Sequence, residues 1–213
     1  MSVSLYFGLP GCGKSTTLTK FAYDASRAIE RDIKRAEKGK KPLCPYKHIY
    51  GNIELKGIPH YIQIKFDWLG RYDIRDALIL IDEATLEVDS RDFKSFKEHS
   101  KCFMLMHRHY NVDIIFFTQQ WDGIDKKIRV ITDRVYYVYK GVFTGKWITR
   151  MYRVPYGIII PDPKKDSSEK LGEIVQGYCK PSLLVRLFSP FVVRSRYYPY
   201  FDSWDAPKLL DLP

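Results

Sequence analysis

An α/β fold with a mostly parallel sheet flanked by helices is what the order of elements in this sequence predicts. Three observations carry that expectation. The apolar run at 3–7 leads through a glycine turn into a long amphipathic stretch, the continuous apolar run "ALILIDEA" at 77–84 contains two acids, and a further run, "VDIIFFTQQ", closes on polar residues. Continuous rather than alternating apolar runs belong to strands buried on both faces, the situation of a parallel sheet. β/α alternation of this kind makes an open sheet with right-handed crossovers and a ligand crevice at the carboxyl ends of the strands.

Taken in order, residues 3–7 are apolar and β-prone, and from Lys14 to about residue 38 Leu18, Phe21, Ala22, Ala25, Ile29 and Ile33 recur at helical spacing. Gly39, Pro42 and Pro45 end that helix, and residues 49–55 and 61–64 read as short strands. The run at 77–84 is the next strand, followed by a helix over 93–110, the buried strand that begins at Val112, a short helix over 124–131 and the strand "RVYYVYK". Beyond Lys140 the character changes. Residues 142–154, with Gly145 and Lys146 near one turn, and 156–160 predict an antiparallel extension, and the polar stretch 161–172 predicts a mobile surface loop. The chain thus reads as one domain, 1–213, with 141–213 as its C-terminal extension, and it contains no internal repeat.

Composition narrows the function classes. A chain of 213 residues holds one well-packed core, and 45% hydrophobic with 15% aromatic residues excludes wholesale disorder. The 35 basic residues against 25 acidic ones give +10, which suits a polyanion or an anionic membrane face as neighbour. Cys12, Cys44, Cys102 and Cys179 lack CxxC spacing, which argues against a zinc ribbon, a redox motif or a secreted disulfide framework and fits a reducing cytosol. No charged leader opens the chain and no apolar segment approaches the roughly 20 residues of a membrane helix. The expectation is a soluble cytoplasmic protein, able to sit at the cytoplasmic face of a membrane on a membrane-bound partner.

The chemistry is concentrated in "GLPGCGKST". Gly8, Leu9, Pro10, Gly11, Cys12, Gly13, Lys14, Ser15 and Thr16 satisfy GxxxxGK followed by Ser or Thr, with a strand before and a helix after. Glycines let successive N–H groups converge on phosphate oxygens, and the positive end of the helix dipole faces the same anion. In such a loop the lysine, here Lys14, reaches the β/γ-phosphates of ATP, and the hydroxyl, here Ser15, coordinates Mg2+. Downstream, Asp82 stands at a strand end to hold the Mg2+ shell, with Glu83 beside it to polarise an attacking water. Gln119, at the end of the other buried strand, is placed to contact the γ-phosphate or that water. Hydrolysis of this kind is usually accelerated, by a factor of order 10³ to 10⁵, by an arginine donated from elsewhere. Arg129 and Arg134 are the first candidates to act across a subunit boundary, with Arg108 behind them.

Three further features are weaker. Arg27, Arg31, Lys34, Arg35, Lys38, Lys40 and Lys41 face away from the apolar stripe of the first helix, where they suit a nucleic-acid backbone or acidic lipid, although a solvated helix face accounts for the same pattern. His107 and His109 are two apart and point to different sides of a predicted helix, so they do not make a metal pair. The aromatic tail "RYYPYFDSWDAPKL" has rings that stack on bases, yet such tails more often pin a terminus to its own domain.

Together "GLPGCGKST", "LILIDEA", "HRHYNVDIIFFTQQ" and the closing "YFDSW" resemble the zonular occludens toxin family, which includes the assembly ATPases of filamentous phages. The first two motifs are shared by all P-loop ATPases, whereas the third is more telling. The segment from Gln119 through "IDKKIRVITDRV" is similar to that after the sensor strand in FtsK/HerA-type DNA-pumping ATPases, and residues 55–70 offer no motif to align. The resemblance implies an ASCE-type P-loop domain, with the sensor strand between the two motif strands, assembled as a homo-oligomer such as a hexamer. It also implies ATP and Mg2+ as cofactors, single-stranded DNA or phage coat and assembly proteins as partners, and a role in virion assembly or DNA extrusion. Phage relatives usually continue into a transmembrane helix and an extracytoplasmic tail. These residues contain neither, so the resemblance does not carry membrane export by this polypeptide alone, or toxin activity. Two rival readings share the loop: a P-loop kinase, which needs no Glu83 and normally has an arginine-rich lid, and a nucleotide-gated scaffold or DNA-binding protein with negligible turnover.

Overall fold

The computed structural model describes residues 1–84, 98–120, 123–124, 126–141, 147–154 and 188–202. In chain order the elements are β1 (Val3–Phe7), α1 (Lys14–Ala36), β2 (His48–Gly51), β3 (Tyr61–Gln63), β4 (Ala77–Ile81), α2 (Glu98–Leu105), β5 (Val112–Thr118), α3 (Lys126–Ile131), β6 (Arg134–Lys140), β7 (Ile148–Val154) and β8 (Phe191–Val193), with 3₁₀ turns at Phe66–Trp68, Arg194–Arg196 and Tyr198–Tyr200. Among the described residues the strands form one 8-stranded sheet in the order β3-β2-β4-β5-β1-β6-β7-β8. From β3 to β6 neighbouring strands are parallel, and β7 and β8 then add antiparallel pairs. The sheet is the α/β P-loop arrangement expected, with β5 lying between β1 and β4.

Side-chain alternation explains why both faces are covered. Val3, Leu5 and Phe7, Ala77, Ile79 and Ile81, and Val112, Ile114 and Phe116 point into one core, which α2 and α3 close with Phe103, Met104 and Ile128. The intervening Tyr6, Leu78, Leu80 and Phe117 point into a second core, which α1 closes with Leu18, Ala22, Ala25 and Ile29. Register then aligns the strand ends: Phe7 faces Thr118 and Ile81 faces Phe116, so the residues that follow β1, β4 and β5 emerge along one edge.

Several boundaries depart from the sequence expectation. The strand expected over 49–55 stops at Gly51, because Asn52 turns its side chain to the chain beyond β4. The expected helix over 93–110 ends at Leu105. Residues 106–110 are turns that reverse into β5, and Asn111 takes a positive φ of 59° there. His107 is therefore buried in a turn rather than on a helix, with its Nδ1 2.8 Å from the Met104 carbonyl. Ile33 does not continue the buried stripe and is 48% exposed. The 23-residue α1 runs about 34 Å, whereas a five-residue strand spans about 17 Å, so its last turns overhang the sheet. The basic side chains of Arg27, Arg31, Lys34, Lys38, Lys40 and Lys41 are exposed on this helix and the loop after it. Residues 142–146, 156–160 and the loop at 161–172 lie outside the described residues. The described part of the aromatic tail packs on its own domain, with Tyr200 5.5 Å from the Tyr23 ring and the Tyr200 carbonyl accepting the Lys56 N–H.

Candidate nucleotide site

The loop between β1 and α1 is built on two close approaches. A Cβ at Gly8 would lie 2.2 Å from the Val138 carbonyl oxygen, and one at Gly13, where φ is 101°, would lie 2.0 Å from Thr149 Oγ1, so only glycine fits at either position. Gly8 N–H bonds the Thr118 carbonyl, and Cys12 N–H returns to the Leu9 carbonyl, which curls the loop. Gly13 caps α1 without a side-chain hydrogen bond, and no acid occupies the first turn. The orphan N–H groups of a long helix thus face the loop, with no acid of the helix's own first turn to compete for them.

Lys14 is buried and donates from Nζ to the carbonyls of Gly8 at 3.0 Å and Leu9 at 3.3 Å, which folds its ammonium back over the loop. Ser15 Oγ donates to Asp82 Oδ2 at 2.7 Å. Asp82 is the first residue past β4, and burial pushes its carboxyl above the usual range, with Glu83 adding to this while the Ser15 hydroxyl and Lys14 oppose it. Its other oxygen, Oδ1, accepts the Glu83 N–H at 3.0 Å. Glu83 adopts a positive φ of 46°, a left-handed turn that swings its carboxylate along the strand-end edge. There Gln119 Nε2, from the end of β5, donates to Glu83 Oε1 at 3.0 Å. Lys14, Ser15, Asp82, Glu83 and Gln119 are thus brought to one edge.

The donor set also fits Mg2+. Ser15 Oγ and an Asp82 carboxylate oxygen lie side by side, whereas the described residues hold no cluster of three or more His, Cys, Asp or Glu. One carboxylate and one hydroxyl, leaving room for waters and phosphate oxygens, suit Mg2+ rather than an ion needing an all-protein cage. Cys12, buried beneath the loop, has its thiol pushed up by burial against the pull of Lys14 and Arg194, so it fills space rather than acting as a thiolate.

Motif reading missed four contributors. Asn52, just past β2, accepts the Asp82 N–H at Oδ1 (2.8 Å) and donates from Nδ2 to the Asp82 carbonyl (2.9 Å). Thr149 and Arg194 contact the loop from behind. Lys140 places its ammonium 3.5 Å from where a Gly11 Cβ would be. The one available signal was positional, since Asn52 follows a parallel strand at its carboxyl end. Two of the arginine candidates, Arg134 and Arg108, lie away from this edge within one chain. Arg134 opens β6 opposite Ser4, at the strand-start end of the sheet, Arg129 lies on α3, and Arg108 pairs with Asp133 at 3.3 Å.

A glycine loop between β1 and α1, the acids after β4 and a sensor strand between them define a P-loop NTPase fold of the ASCE type. A family model described as Zonular occludens toxin (Zot) matches residues 2–181, and the chain belongs to that family. The closing "YFDSW" falls outside the matched residues. The N-terminal domain of zonular occludens toxin from Neisseria meningitidis is similar in structure, at 17% identity, with 94% of this chain and 98% of that chain covered and a TM-score of 0.53. Weaker likenesses are to B204, the DNA-packaging ATPase of Sulfolobus Turreted Icosahedral Virus (13% identity, 72% of this chain and 92% of that one, TM-score 0.45), and to the flagellar accessory protein FlaH of Methanocaldococcus jannaschii (12% identity, 72% and 77%, TM-score 0.42). No curated protein sequence matches. Among the described residues no helix is long and apolar enough to cross a membrane.

Proposed function

We propose that this chain is an Mg2+-dependent ATPase that drives filamentous-phage assembly or the extrusion of single-stranded DNA, acting as an oligomer at the cytoplasmic face of a membrane. The observation that carries the enzymatic part is the meeting of Ser15 with Asp82 at 2.7 Å beside the Glu83–Gln119 pair. Amides of residues 8–16 and the Lys14 ammonium take the triphosphate, and Ser15 and Asp82 take the metal. Held by those two side chains, Mg2+ would supply neutralisation of the phosphate charge.

Glu83 accepts the proton of the attacking water, and Gln119 holds the Glu83 carboxylate in position through its amide. A water-polarising acid so placed supports hydrolysis over transfer to an acceptor, and hence an ATPase over a kinase. The arginine that completes the site comes from a neighbouring copy, with Arg129 and Arg134 as candidates. Family membership supports the phage role, and the +10 charge suits a DNA partner.

The test is phosphate release with and without single-stranded DNA at stated salt. Lys14→Ala should abolish nucleotide binding. Glu83→Gln should bind ATP as the parent does and lose turnover by about 10² or more. Full activity in either variant refutes the reading.

A further inference from the structure

We infer that Thr149 and Arg194 form a clamp that sets the shape of the phosphate loop and ties it to the C-terminal strands; the purpose of the clamp rests on the nucleotide reading above, its geometry does not. A loop whose amides turn inward to an anion turns its carbonyls outward, and buried carbonyls need donors. Thr149 Oγ1 donates to the Cys12 carbonyl at 2.9 Å, and Arg194 Nη2 donates to the Gly11 carbonyl at 3.1 Å. Arg194 Nε donates to that same Thr149 hydroxyl at 2.8 Å, which joins the two contacts into one unit.

Thr149 is fully buried and Arg194 is 8% exposed. Both are anchored in the sheet extension: Thr149 pairs with Val192 between β7 and β8, and the Arg194 N–H bonds the Trp147 carbonyl at 2.8 Å. Among the described residues the guanidinium donates to neutral oxygens, Thr149 Oγ1 and the Gly11 carbonyl. A buried cation against carbonyl dipoles favours an anion nearby, and a triphosphate in the loop supplies one. The fixed fork of arginine reaches Gly11 and Thr149 together, which a single lysine ammonium on a flexible stem does not reproduce. Arg194 and Thr149 are positioning residues here, since they act on the loop rather than on the reacting atoms. Docking of β7 and β8 and affinity for nucleotide are then coupled, and the coupling runs both ways.

The experiment compares Thr149→Val, Thr149→Ser and Arg194→Lys with the parent chain in two arms. The first is amide hydrogen exchange of the loop, residues 8–14, without nucleotide. Thr149→Val and Arg194→Lys should exchange about tenfold faster, and Thr149→Ser, which keeps the hydroxyl, should match the parent. The second is Mg-ATPγS titration by calorimetry. Kd should rise about tenfold in Thr149→Val and Arg194→Lys and recover in Thr149→Ser, KM should follow Kd with little change in kcat, and ATPγS should slow exchange at residues 192–197 of the parent only. Parent-like loop exchange in Thr149→Val overturns the clamp, as does equal damage in Thr149→Ser. If Thr149→Val does not fold, Arg194→Lys decides by the same criterion. A parent chain that fails to bind ATPγS refutes the nucleotide reading, while the first arm still decides the clamp.

Discussion

Replacing Asn52 with alanine tests whether β2 positions the acids that follow β4. The side chain makes two hydrogen bonds to the Asp82 backbone, at 2.8 and 2.9 Å. At about 0.5–1.5 kcal/mol each, their loss costs roughly 1–3 kcal/mol, toward the lower end because water reaches this half-buried site. For a domain of this size, about 1–2 kcal/mol lowers Tm by roughly 2–8 °C. The effect on turnover should be larger. The Asp82 backbone carries the carboxylate proposed to hold the metal and, one residue on, the left-handed Glu83 at φ 46°, a conformation that persists only when its surroundings enforce it. A shift of about 1 Å in a catalytic group costs up to about 10²-fold, so kcat should fall by about 10- to 100-fold. Nucleotide affinity should change far less, because Asn52 bonds neither the loop nor Lys14. Asn52→Asp, which sets a carboxylate oxygen against the Asp82 carbonyl, should be worse than alanine. Thermal melting and steady-state phosphate release measure both effects. An alanine variant with parental Tm and kcat would refute the positioning role.

Gly13→Ala should lose ATPγS binding by about 10²-fold or more in calorimetry while keeping the sheet by circular dichroism, since its Cβ would meet Thr149 Oγ1 at 2.0 Å in a φ of 101° that costs about 1–3 kcal/mol even without the overlap. Gln119→Ala removes the 3.0 Å bond to Glu83, and kcat should fall by about 10-fold or more with KM little changed; an unchanged kcat would remove Gln119 from the site. At high pH, Tyr6, Tyr46 and Tyr61 matter. Burial first, then Tyr136, Asp113 and Asp82 respectively, hold their hydroxyls above the ordinary 10.0. Folding favours the protonated form, so this stability is complete below pH 10 and is lost as pH rises through the folded values. Tm should drop steeply above pH 10, and tyrosinate absorbance from these rings should appear together with unfolding rather than before it.

The fold was legible where burial is symmetric. β1, β4 and β5 sit in the middle of the sheet with both faces covered, so their apolar runs are continuous, although the run at 77–84 overshoots β4, which ends at Ile81. Toward the edges the signal weakens. β3 is three residues of half-buried or exposed side chains, and β8 is three residues with only the middle one buried, a length that no periodicity resolves. The end of α1 misled for a related reason: Ile33 keeps helical spacing with Ile29, but spacing says nothing about whether a sheet still lies beneath that turn.

The site divides along the same line. The phosphate loop is contiguous in the chain, so its chemistry is written in one motif, and Asp82 and Glu83 are readable because a strand end fixes where they emerge. Asn52, Thr149 and Arg194 work through contacts 30, 137 and 183 residues away along the chain, and an arginine among 35 basic residues carries no mark of burial. Arg134 was singled out because it follows Gln119 closely in sequence, yet α3 carries the chain from the edge where Gln119 stands back to the strand starts, and Arg134 lies beside Ser4 there. For Arg134 to reach a nucleotide, a neighbour must present its strand-start end to this chain's strand-finish edge. A ring or a filament meets that requirement with one such contact per neighbour, and a two-fold dimer meets it only where the two copies lie side by side and antiparallel, each reaching the other's edge. An active species in which no neighbour's strand-start end meets this edge would therefore remove Arg134 from the reaction without touching the roles proposed for Lys14, Asp82 or Glu83.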